Sequence, residues 1–413
     1  MPRDVEVSFL PMECVGTDGR LLLDRTKTLA EGWQGFTYFR DGDVLVAKIT
    51  PCFENGKGAF CEGLSNGLGF GTTELHVIRP GALVNGRFLF YLTINHAFRV
   101  LGTTSMSGAA GQQRISQQFI ADFVIGLPDP VEQRGIARFL DRETAKIDAL
   151  IAKMQQLIEL LHEKRTALIS HAVSKGLDPG VPMKESGIDS LDQIPEDWEL
   201  LSVRRFATAV EQGWSPVAED RQAEDEEWAV IKLSAIHKGN FRSSEHKALP
   251  KDLVPERRYE IRDRDFLITR SNTPDLVGDV CVVDSPRSGL MLCDLVYRVQ
   301  VDEERIDKRF LSYSMLSRFG RHQITAEARG SSQSMVKIAQ SHVRSLTIVA
   351  PRKGEQQTIV RFLDESTGRI DRLALKVSDG IEKLREYRTA LISAAVTGKI
   401  DVRGEAPDEP EEL

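Results

Sequence analysis

Two polar, glycine-containing loops carry the side chains best suited to binding chemistry in this sequence. Residues 108–114 read GAAGQQR, so small residues that allow close backbone approach precede two amides and a guanidinium. Residues 330–337 read GSSQSMVK and offer hydroxyls, an amide and an ammonium group at a matching place. Such groups can hydrogen-bond to base edges or to the phosphates of nucleic acid. The two loops therefore predict a pair of nucleic-acid-binding sites.

Further hydrogen-bond donors stand beside predicted strand ends in both halves of the chain. Any single polar loop residue is more often a solvated turn residue than a contact, because polar residues are common in loops. The repetition of the polar loops at matching places is the feature that favours binding. The candidate DNA-binding residues are Lys48, Thr50, Asn55, Lys57, Gln112, Gln113, Arg114, Arg270, Ser271, Asn272, Thr273, Ser332, Gln333 and Lys337.

Catalytic patterns are missing from the sequence. Lys57 is followed by glycine and lacks the upstream glycine of a phosphate-binding P-loop, and no GxGxxG follows a predicted strand. We find no HExxH, no GxSxG and no asparagine-proline-proline-aromatic segment of the kind that amino-methyltransferases use. The histidines and cysteines make no cluster with metal-ligand spacing. The sequence therefore predicts a binding protein with no catalytic and no metal-binding residues.

The elements that must position the loops include a long stretch that occurs twice. Residues 128–176 and 351–399 match at a constant offset of 223 positions, which pairs Asp148 with Asp371 and Arg165 with Arg388. In each copy apolar residues recur every seven positions, which places them on one side of an α-helix. The two ladders are Leu140, Ile147, Met154, Leu161 and Leu168, and Leu363, Ile370, Val377, Leu384 and Leu391.

Each ladder predicts a long helix that needs an apolar partner, and the nearest candidate is the other copy. The alternative is a pair of core helices in ordinary globular domains. Globular helices average about 11 to 12 residues, however, and a capless pattern beyond about 25 is typical of a coiled coil. Leu150, Leu157 and Leu373 are expected to fill the intermediate positions of the seam. Because glycine costs about 1 kcal/mol against alanine in a helix, we expect a kink at Gly380.

A mixed α and β domain is predicted ahead of each long helix. In the first domain, residues 42–49 and 73–79 have the pattern of strands, and residues 87–101 have helical spacing. Residues 123–127 are expected to lead as a strand into the long helix. The segment 176–198 is rich in Gly, Pro, Ser and Asp and is predicted to be a linker to a second domain of similar plan.

The two predicted domains match in frame but not in length. Positions such as Tyr91 and Tyr313 correspond at an offset of 222. Roughly 35 to 40 residues that precede Trp228 have no counterpart before Val5. The first domain is therefore expected to lack an opening strand and helix, through truncation or a misplaced start codon.

Charge limits the nucleic-acid hypothesis. The 413 residues carry a formal net charge of −7, whereas nucleic-acid binders usually have a basic surplus. Part of the acid lies in the segment 401–413, which is predicted to be a disordered tail. Any DNA contact must therefore be local or shared with another subunit. No run of eighteen apolar residues and no signal peptide is found, so a soluble, cytoplasmic protein without a membrane contact is expected.

The order of these features resembles the DNA-specificity subunit of type I restriction-modification enzymes. In each half a domain precedes an EQ…FLD…ID helix that ends with RTALIS. The segments VSFLPME, DVLVAKITPCFENGK, GFGTTELHVIRP and SGAAGQQRIS also resemble a common subtype of the target-recognition domain. The match covers nearly the whole chain and departs from the family pattern in the missing lead of the first domain.

The resemblance implies an α+β fold with a pseudo-twofold internal repeat. Two similar α/β target-recognition domains would be separated by two long antiparallel coiled-coil helices. The implied bounds are 1–127 for target-recognition domain 1, 128–178 for long helix 1, 179–349 for the linker and target-recognition domain 2, 350–400 for long helix 2, and 401–413 for the acidic tail.

The resemblance also implies a non-catalytic role in a restriction system. Each target-recognition domain would read one half of a bipartite, asymmetric DNA site, and the helices would set the spacer and dock two methyltransferase subunits. Two restriction (motor-nuclease) subunits would complete the assembly. No cofactor is expected on this chain, because S-adenosylmethionine would belong to the methyltransferase partner and ATP and Mg to the motor-nuclease partner. Helix pairing and partner docking would fall to the two ladders and to Asp141, Arg165, Thr166, Ser170, Asp364, Arg388, Thr389 and Ser393.

Two other functions stay open at this point. A self-sufficient or fused methyltransferase or nuclease would need an active site that the sequence does not reveal, and it would bind S-adenosylmethionine alone. A protein-only coiled-coil adaptor would show no salt-dependent retention of DNA by the assembled complex.

Overall fold

The computed structural model of the chain describes residues 4–32, 35–109, 111–332 and 335–402. It has the mixed α/β fold that the sequence predicts. The chain divides into two compact units. One comprises Met1–Gln156 with Val377–Leu413, and the other comprises Leu157–Lys376. The boundary falls within both long helices, so each unit holds one α/β domain and one segment of each helix. Within the described ranges, no helix is both long enough and apolar enough to cross a membrane.

The first unit contains small sheets, short helices and the start of a long helix. Its strands are β1 (Glu6–Leu10), β2 (Thr26–Thr28), β3 (Thr37–Arg40), β4 (Val44–Ala47), β5 (Gly58–Phe60), β6 (Leu68–Gly71) and β7 (Leu75–Ile78). Its helices are α1 (Leu29–Gly32), α2 (Gly86–Ile94), α3 (His96–Ser105), α4 (Gln117–Asp122) and the first part of α5 (Pro130–Lys175). One sheet has the order β2-β1-β6-β3 and another has the order β5-β4-β7. The core joins β4 and α2 to the start of α5 through Val44, Phe88 and Leu140.

The second unit repeats this plan and adds several strands. Its strands are β8 (Met183–Ile188), β9 (Leu191–Pro195), β10 (Glu199–Ser202), β11 (Ala207–Gln212), β12 (Ala229–Ile231), β13 (Ile236–His237), β14 (Asn240–Phe241), β15 (His246–Ala248), β16 (Phe266–Thr269), β17 (Ser271–Asn272), β18 (Val280–Val282), β19 (Leu290–Met291), β20 (Val296–Val301), β21 (Arg329–Ser332), β22 (Met335–Lys337) and β23 (Thr347–Ala350). Its helices are α6 (Lys308–Leu316), α7 (Arg318–Glu327), α8 (Gln340–Ser345) and the first part of α9 (Lys353–Val396). The sheet orders include β11-β20-β16-β18, β15-β12-β19 and β17-β22-β21.

Strand pairing shows that the two domains share one topology. Strand β1 pairs antiparallel with β2 and parallel with β6, and β12 pairs in the same two ways with β15 and β19. Strand β4 lies between β5 and β7, as β16 lies between β18 and β20. The repeat seen in the sequence is therefore a repeat of hydrogen-bonded structure.

The helical pattern predicted at 87–101 is two helices in the structure. The break comes at Asn95, whose extended backbone ends α2 and whose side chain accepts a hydrogen bond from the Ala97 amide to start α3. Ser317 does the same between α6 and α7, where its hydroxyl accepts from the Gly320 amide. An N-cap side chain inside an apolar pattern marks such a break, because it satisfies an amide that the next helix leaves free.

The segment predicted to be a linker at 176–198 contains structure. Strands β8 and β9 form a hairpin there. The hairpin and the residues after it bury Leu191, Ile194 and Trp198, and apolar burial of this kind outweighs the turn-rich composition. The lead of the second domain then continues as β10, a 3₁₀ turn at Val203–Arg205 and β11, so it consists of strands rather than a strand and a helix.

The strand predicted at 123–127 does not form. Its counterpart in the second domain, β23, pairs antiparallel with β10. Among the described residues, no segment pairs with residues 123–127 in the way that β10 pairs with β23.

Both long helices are unbroken, including at the position where a kink was expected. At Gly380 a Cβ atom would lie 2.7 Å from Met154 Cε, so the glycine leaves room for the methionine of α5 to pack on α9. The ladder residues are buried or half-buried, and Leu140 and Leu363 are fully buried. Leu150, Leu157 and Leu373 are instead 46%, 41% and 46% exposed, so they do not fill the seam as predicted.

Candidate nucleic-acid interface and its supports

The polar loop of the first domain is held by an ion pair. Arg114 donates from Nε and Nη2 to the two carboxylate oxygens of Glu74, at 3.0 and 2.9 Å. The Arg114 side chain is 43% exposed and that of Glu74 is 26% exposed. The hydrogen bond from Arg114 is the main reason that the pKa of Glu74 lies below its usual value. Arg114 therefore presents part of its guanidinium to solvent while it fixes the base of the loop.

The other candidates of the first domain separate into tethered and untethered side chains. The Thr50 hydroxyl donates to the Gln113 carbonyl at 3.1 Å, and Lys57 Nζ donates to the Met12 carbonyl at 2.8 Å. In the part of the chain that the structure describes, four candidate side chains make no hydrogen bond. These four are Lys48, Asn55, Gln112 and Gln113. Asn55 and Gln112 are exposed, which leaves their amides available to a ligand.

The corresponding loop of the second domain lies on the small sheet β17-β22-β21. Ser271 is opposite Lys337 and Asn272 is opposite Val336 in this sheet. Ser271 is fully buried and its hydroxyl donates to the Val336 carbonyl at 3.2 Å, so we remove it from the candidate contacts. Lys337 is exposed, whereas Arg270 is half-buried with Nη1 3.5 Å from the Asp294 carbonyl.

Three remaining candidates of the second domain have less informative positions. Thr273 is exposed, and its amide donates to the side-chain oxygen of Asn272 at 2.9 Å. Ser332 is the last residue of β21. Gln333 lies outside the described residues.

Both polar loops dock on their domains in the same register. Ile49 bridges Arg114 in the first domain, as Ser271 pairs with Lys337 in the second. The backbone bond from Ile115 to Lys48 also recurs, as a bond from Ile338 to Arg270. Lys48 and Arg270, Thr50 and Asn272, and Arg114 and Lys337 therefore occupy equivalent positions with different side chains.

A buried ion pair joins the two long helices inside the first unit. Arg388 of α9 donates to Asp148 of α5 from Nε at 2.9 Å and from Nη2 at 3.3 Å. Arg388 Nη2 also donates to the Asp18 carbonyl of the domain at 3.2 Å. The Arg388 and Asp148 side chains are only 14% and 18% exposed. The contact pairs of α5 and α9 run in opposite chain directions, so these helix segments are antiparallel.

The equivalent ion pair occurs in the second unit with the helices exchanged. Arg165 of α5 lies 3.1 Å from Asp371 of α9, measured from Nε to Oδ1. Arg165 Nη2 donates to the Lys238 carbonyl of that domain at 3.1 Å. Each arginine thus contacts both helices and one domain, and we call the two arrangements the helix clamps.

Asp141 and Asp364 hold domain to helix rather than helix to helix. The Tyr91 hydroxyl of α2 donates to Asp141 at 2.7 Å, and the Tyr313 hydroxyl of α6 donates to Asp364 at 2.8 Å. Burial raises the pKa of both tyrosines, so each hydroxyl stays a donor. Arg309 adds an ion pair to Asp364 at 2.9 Å.

Two buried glutamines also hold a domain to a long helix, each near the start of its helix. Gln133 accepts from the Asn85 amide at 2.7 Å and donates to the Leu83 and Pro128 carbonyls. Gln356 makes the equivalent bonds to Asp307, Arg305 and Pro351. Both glutamines were visible in the sequence repeat, but spacing alone did not indicate what they bind.

The small polar residues of the helices receive the ends of domain helices. Ser170 accepts from the Arg318 amide at 2.9 Å where α7 begins, and Ser393 accepts from the His96 amide at 3.4 Å where α3 begins. Thr166 and Thr389 donate to carbonyls of their own helices, at 3.0 Å each. Within the described residues, no group of His, Cys, Asp and Glu side chains could hold a metal ion.

Comparisons with known proteins identify similar chains among the specificity subunits of type I restriction enzymes. No protein-family model matches the chain. The type I restriction enzyme EcoEI specificity subunit of Escherichia coli is 26% identical over 468 residues, which cover 95% of this chain and 78% of that protein. The EcoAI specificity subunit of Escherichia coli is 40% identical over 167 residues, which cover 38% of this chain and 28% of that protein. The resemblance to type I restriction enzyme specificity subunits is therefore confirmed.

A solved structure supports the fold. It comes from work described as "Structural basis underlying complex assembly and conformational transition of the type I R-M system", and it matches with a TM-score of 0.65. The sequences are 17% identical, and the match covers 96% of this chain and 93% of the other.

Proposed function

We propose that the chain is the non-catalytic specificity subunit of a type I restriction-modification system. Each α/β domain reads one half of a bipartite, asymmetric DNA site. The main support is the shared docking frame of the two polar loops, which carry different side chains at equivalent positions. Two loops that dock in the same way but carry different hydrogen-bond donors are suited to reading two different DNA sequences.

The negative net charge fits a role within an assembly. DNA affinity depends strongly on how many phosphates are neutralised, and a chain of charge −7 provides that neutralisation only locally. Two methyltransferase subunits and two restriction subunits are the proposed partners, and they contribute most of the backbone contacts. S-adenosylmethionine belongs to the methyltransferase subunits, and ATP with Mg belongs to the restriction subunits.

The long helices are proposed to set the spacer between half-sites and to dock the methyltransferase subunits. The support is that each unit takes in a segment of both helices and that an equivalent clamp fixes each domain to both of them. Leu150, Leu157 and Leu373 are more than two-fifths exposed, which makes them candidates for docking rather than for the seam.

The decisive experiment is to map methylated positions in DNA treated with the assembled methyltransferase complex. Gln112→Ala is expected to alter one half-site only, and Asn272→Ala the other, because each lies in one domain's loop. Loss of a well-placed amide-to-base contact costs about 1–3 kcal/mol of discrimination. If either substitution altered both half-sites, the assignment of one domain to one half-site would be wrong.

A charge variant tests the loops without reference to sequence. Lys337→Ala is expected to lower the salt dependence of DNA binding by about one counterion, because it removes one phosphate neighbour. Lys251→Ala is the matched control, since Lys251 is also exposed but follows β15, which belongs to a different sheet. Equal effects of the two substitutions would exclude the loop from the DNA interface.

The spacer assignment has its own test. Insertion of residues after Gly176 is expected to change the spacer length in the methylated site and to leave both half-sites intact. Binding of S-adenosylmethionine by the purified chain alone would instead support the fused-enzyme alternative. Salt-independent or absent DNA retention by the complex would support the protein-only adaptor.

A further inference from the structure

A cavity of about 240 Å³ lies within the second unit, where its domain meets the long helices. Its walls come from the turn between β13 and β14, the end of β18 and one side of α6, together with polar residues of α5 and α9. Drug-sized ligands occupy pockets of about 300 Å³ or more, so this cavity suits a smaller ligand. We call it the α6 cavity.

Val282, on one wall of the α6 cavity, is smaller than the equivalent residue of the first unit. That equivalent is Phe60, because each of the two lies opposite the first residue of the central strand, β16 or β4. The centroid of the Phe60 ring lies 5.2 Å from the guanidinium carbon of Arg87, and Arg87 pairs with Glu62 at 2.7 Å. Valine in the second unit therefore leaves open the space that an aromatic ring fills in the first.

Ser312, on the wall formed by α6, stands where the first unit has a second phenylalanine. Its equivalent is Phe90, since each residue directly precedes the tyrosine that bonds to a long helix. The Phe90 ring packs directly on Gly19, whereas a Cβ atom on the equivalent Gly239 would lie 4.0 Å from Ser312 Oγ. Ser312 is only 6% exposed, and no described residue forms a hydrogen bond with its hydroxyl. A buried hydroxyl without a partner is costly, so this one is suited to a ligand in the cavity.

The charged groups of the α6 cavity leave one carboxylate without a cation. Arg309 pairs with Asp364 at 2.9 Å, and Arg165 pairs with Asp371 at 3.1 Å. The third lining carboxylate, Asp284, is exposed and forms no ion pair with any residue that the structure describes. The cavity therefore has one uncompensated negative charge, which favours a cationic ligand.

Neutral side chains make an organic cation the best match. Phe241 contributes an aromatic ring to the lining, and aromatic faces attract ammonium groups. Asn240 contributes an amide oxygen beside the Ser312 hydroxyl and the Asp284 carboxylate. A primary ammonium has three N–H donors and no acceptor, so it matches three acceptors. Among the described residues, no group of His, Cys, Asp and Glu side chains could hold a metal ion instead.

We propose that the α6 cavity binds a primary alkylammonium group, as carried by a free polyamine or by a lysine side chain. The ammonium donates to the Asp284 carboxylate, the Ser312 hydroxyl and the Asn240 amide oxygen. The alkyl chain lies against Val282 and Phe241. The site is separate from the polar loops that are proposed to read DNA.

The test measures binding of pentylamine to the full chain by isothermal titration calorimetry. Saturable binding of one amine per chain is expected. Pentanol has the same length but no charge, and it is expected not to bind at concentrations that saturate pentylamine. Asp284→Asn should weaken amine binding about two- to fivefold, the range for an exposed ion pair.

Two substitutions of Ser312 separate filling of the cavity from loss of the hydroxyl. Ser312→Phe restores the residue of the first unit and should weaken binding by about tenfold or more, because the ring occupies the cavity. Ser312→Ala removes only the acceptor and should weaken binding about threefold, and it keeps the test decisive if the larger side chain prevents folding. Glu62→Gln is the matched control, since it neutralises the equivalent carboxylate of the first unit, and it should leave the affinity unchanged.

The outcomes either support the site or overturn it. Binding that Asp284→Asn and Ser312→Ala weaken, and that Glu62→Gln does not, supports it. Equal binding of pentanol overturns the assignment to a cation. Binding of several amines per chain that no substitution changes would show attraction to the acidic surface alone, and it would overturn the site, as would the absence of saturable binding.

The source of the ammonium group is determined with the assembled methyltransferase complex, and only this step rests on the proposed function. Pentylamine binding retained by the complex supports the site with a free amine as its ligand. A carbodiimide cross-link from Asp284 to a lysine of a partner subunit supports the site with a protein side chain as its ligand. Binding by the isolated chain needs no partner, so its failure is distinct from a failure of the proposed function.

Discussion

The helix clamps predict how stability is distributed along the long helices. Arg388→Ala removes two hydrogen bonds to Asp148 and one to the Asp18 carbonyl, and it leaves an 18%-exposed carboxylate without its cation. Breaking a buried pair costs about 3–5 kcal/mol and losing an exposed pair costs about 0.2–1 kcal/mol. For this largely buried pair we expect a loss of about 2–3 kcal/mol in the free energy of unfolding of the first unit.

Hydrogen exchange resolves that loss by position. Amides of α9 between residues 377 and 396 belong to the first unit, and those between 353 and 376 belong to the second. A loss of about 2–3 kcal/mol accelerates exchange about 30- to 140-fold, since each 1.4 kcal/mol is a factor of ten. Arg388→Ala should accelerate the first set, and Arg165→Ala the second.

The control and the double-mutant cycle decide whether the clamp is responsible. Arg385→Ala removes a nearby arginine whose side chain is 52% exposed and, among the described residues, pairs with Glu382 of the same helix alone, so an effect below about 0.5 kcal/mol is expected. The cycle of Arg388→Ala with Asp148→Ala should give a coupling energy of about 1–2 kcal/mol. The reasoning fails if Arg388→Ala behaves like Arg385→Ala, or if the coupling is close to zero.

Three further predictions concern the contacts between domains and helices and the ion pair that holds the first polar loop. Tyr91→Phe and Tyr313→Phe should each lower the free energy of unfolding by about 1–2 kcal/mol in urea titrations, because a buried hydroxyl bond to a carboxylate is lost. Leu140→Ala should cost about 2–5 kcal/mol in the same assay, since the side chain is fully buried. The pKa of Glu74 is lowered in the folded chain by Arg114, so this carboxylate stabilises the fold fully above its ordinary pKa of 4.5 and loses that contribution as pH falls through the lowered value. Urea titrations of Glu74→Gln should therefore show a weaker acid dependence than the parent, and equal dependence would remove the ion pair from the account.

The sequence predicted the repeat and its frame because both depend on pattern. A seven-residue ladder fixes which face of a helix is apolar, and the ladder residues are buried or half-buried as that pattern requires. Pattern did not predict which side chains lie opposite one another. Asp141 matches Asp364 in the repeat, but only coordinates show that each receives a tyrosine hydroxyl from its own domain.

The predictions that were wrong concern residues whose environment depends on neighbours distant in the sequence. Residues 123–127 have the composition of a strand, yet a strand requires a second chain segment to supply its hydrogen bonds. Leu150 and Leu157 satisfy a wide helical stripe, but the seam is narrow and leaves them exposed. Ser271 is polar and next to a loop, but its position in β17 buries it. In each case the deciding neighbour is distant in sequence.

The equivalent residues of the two halves separate into two sets, and this separation makes a last prediction. Gln133 and Gln356, like Tyr91 and Tyr313, tie a domain to a long helix and are identical in both halves. Exposed loop residues differ between the halves and make few internal bonds. Gln112→Ala should therefore change stability by less than about 0.5 kcal/mol while it alters DNA recognition, because exposed residues outside bonded networks contribute little to folding. Thermal unfolding measures the change in stability, and the methylation map measures the change in DNA recognition. A loop substitution that destabilised the fold as much as a clamp substitution would show that recognition and folding use the same contacts.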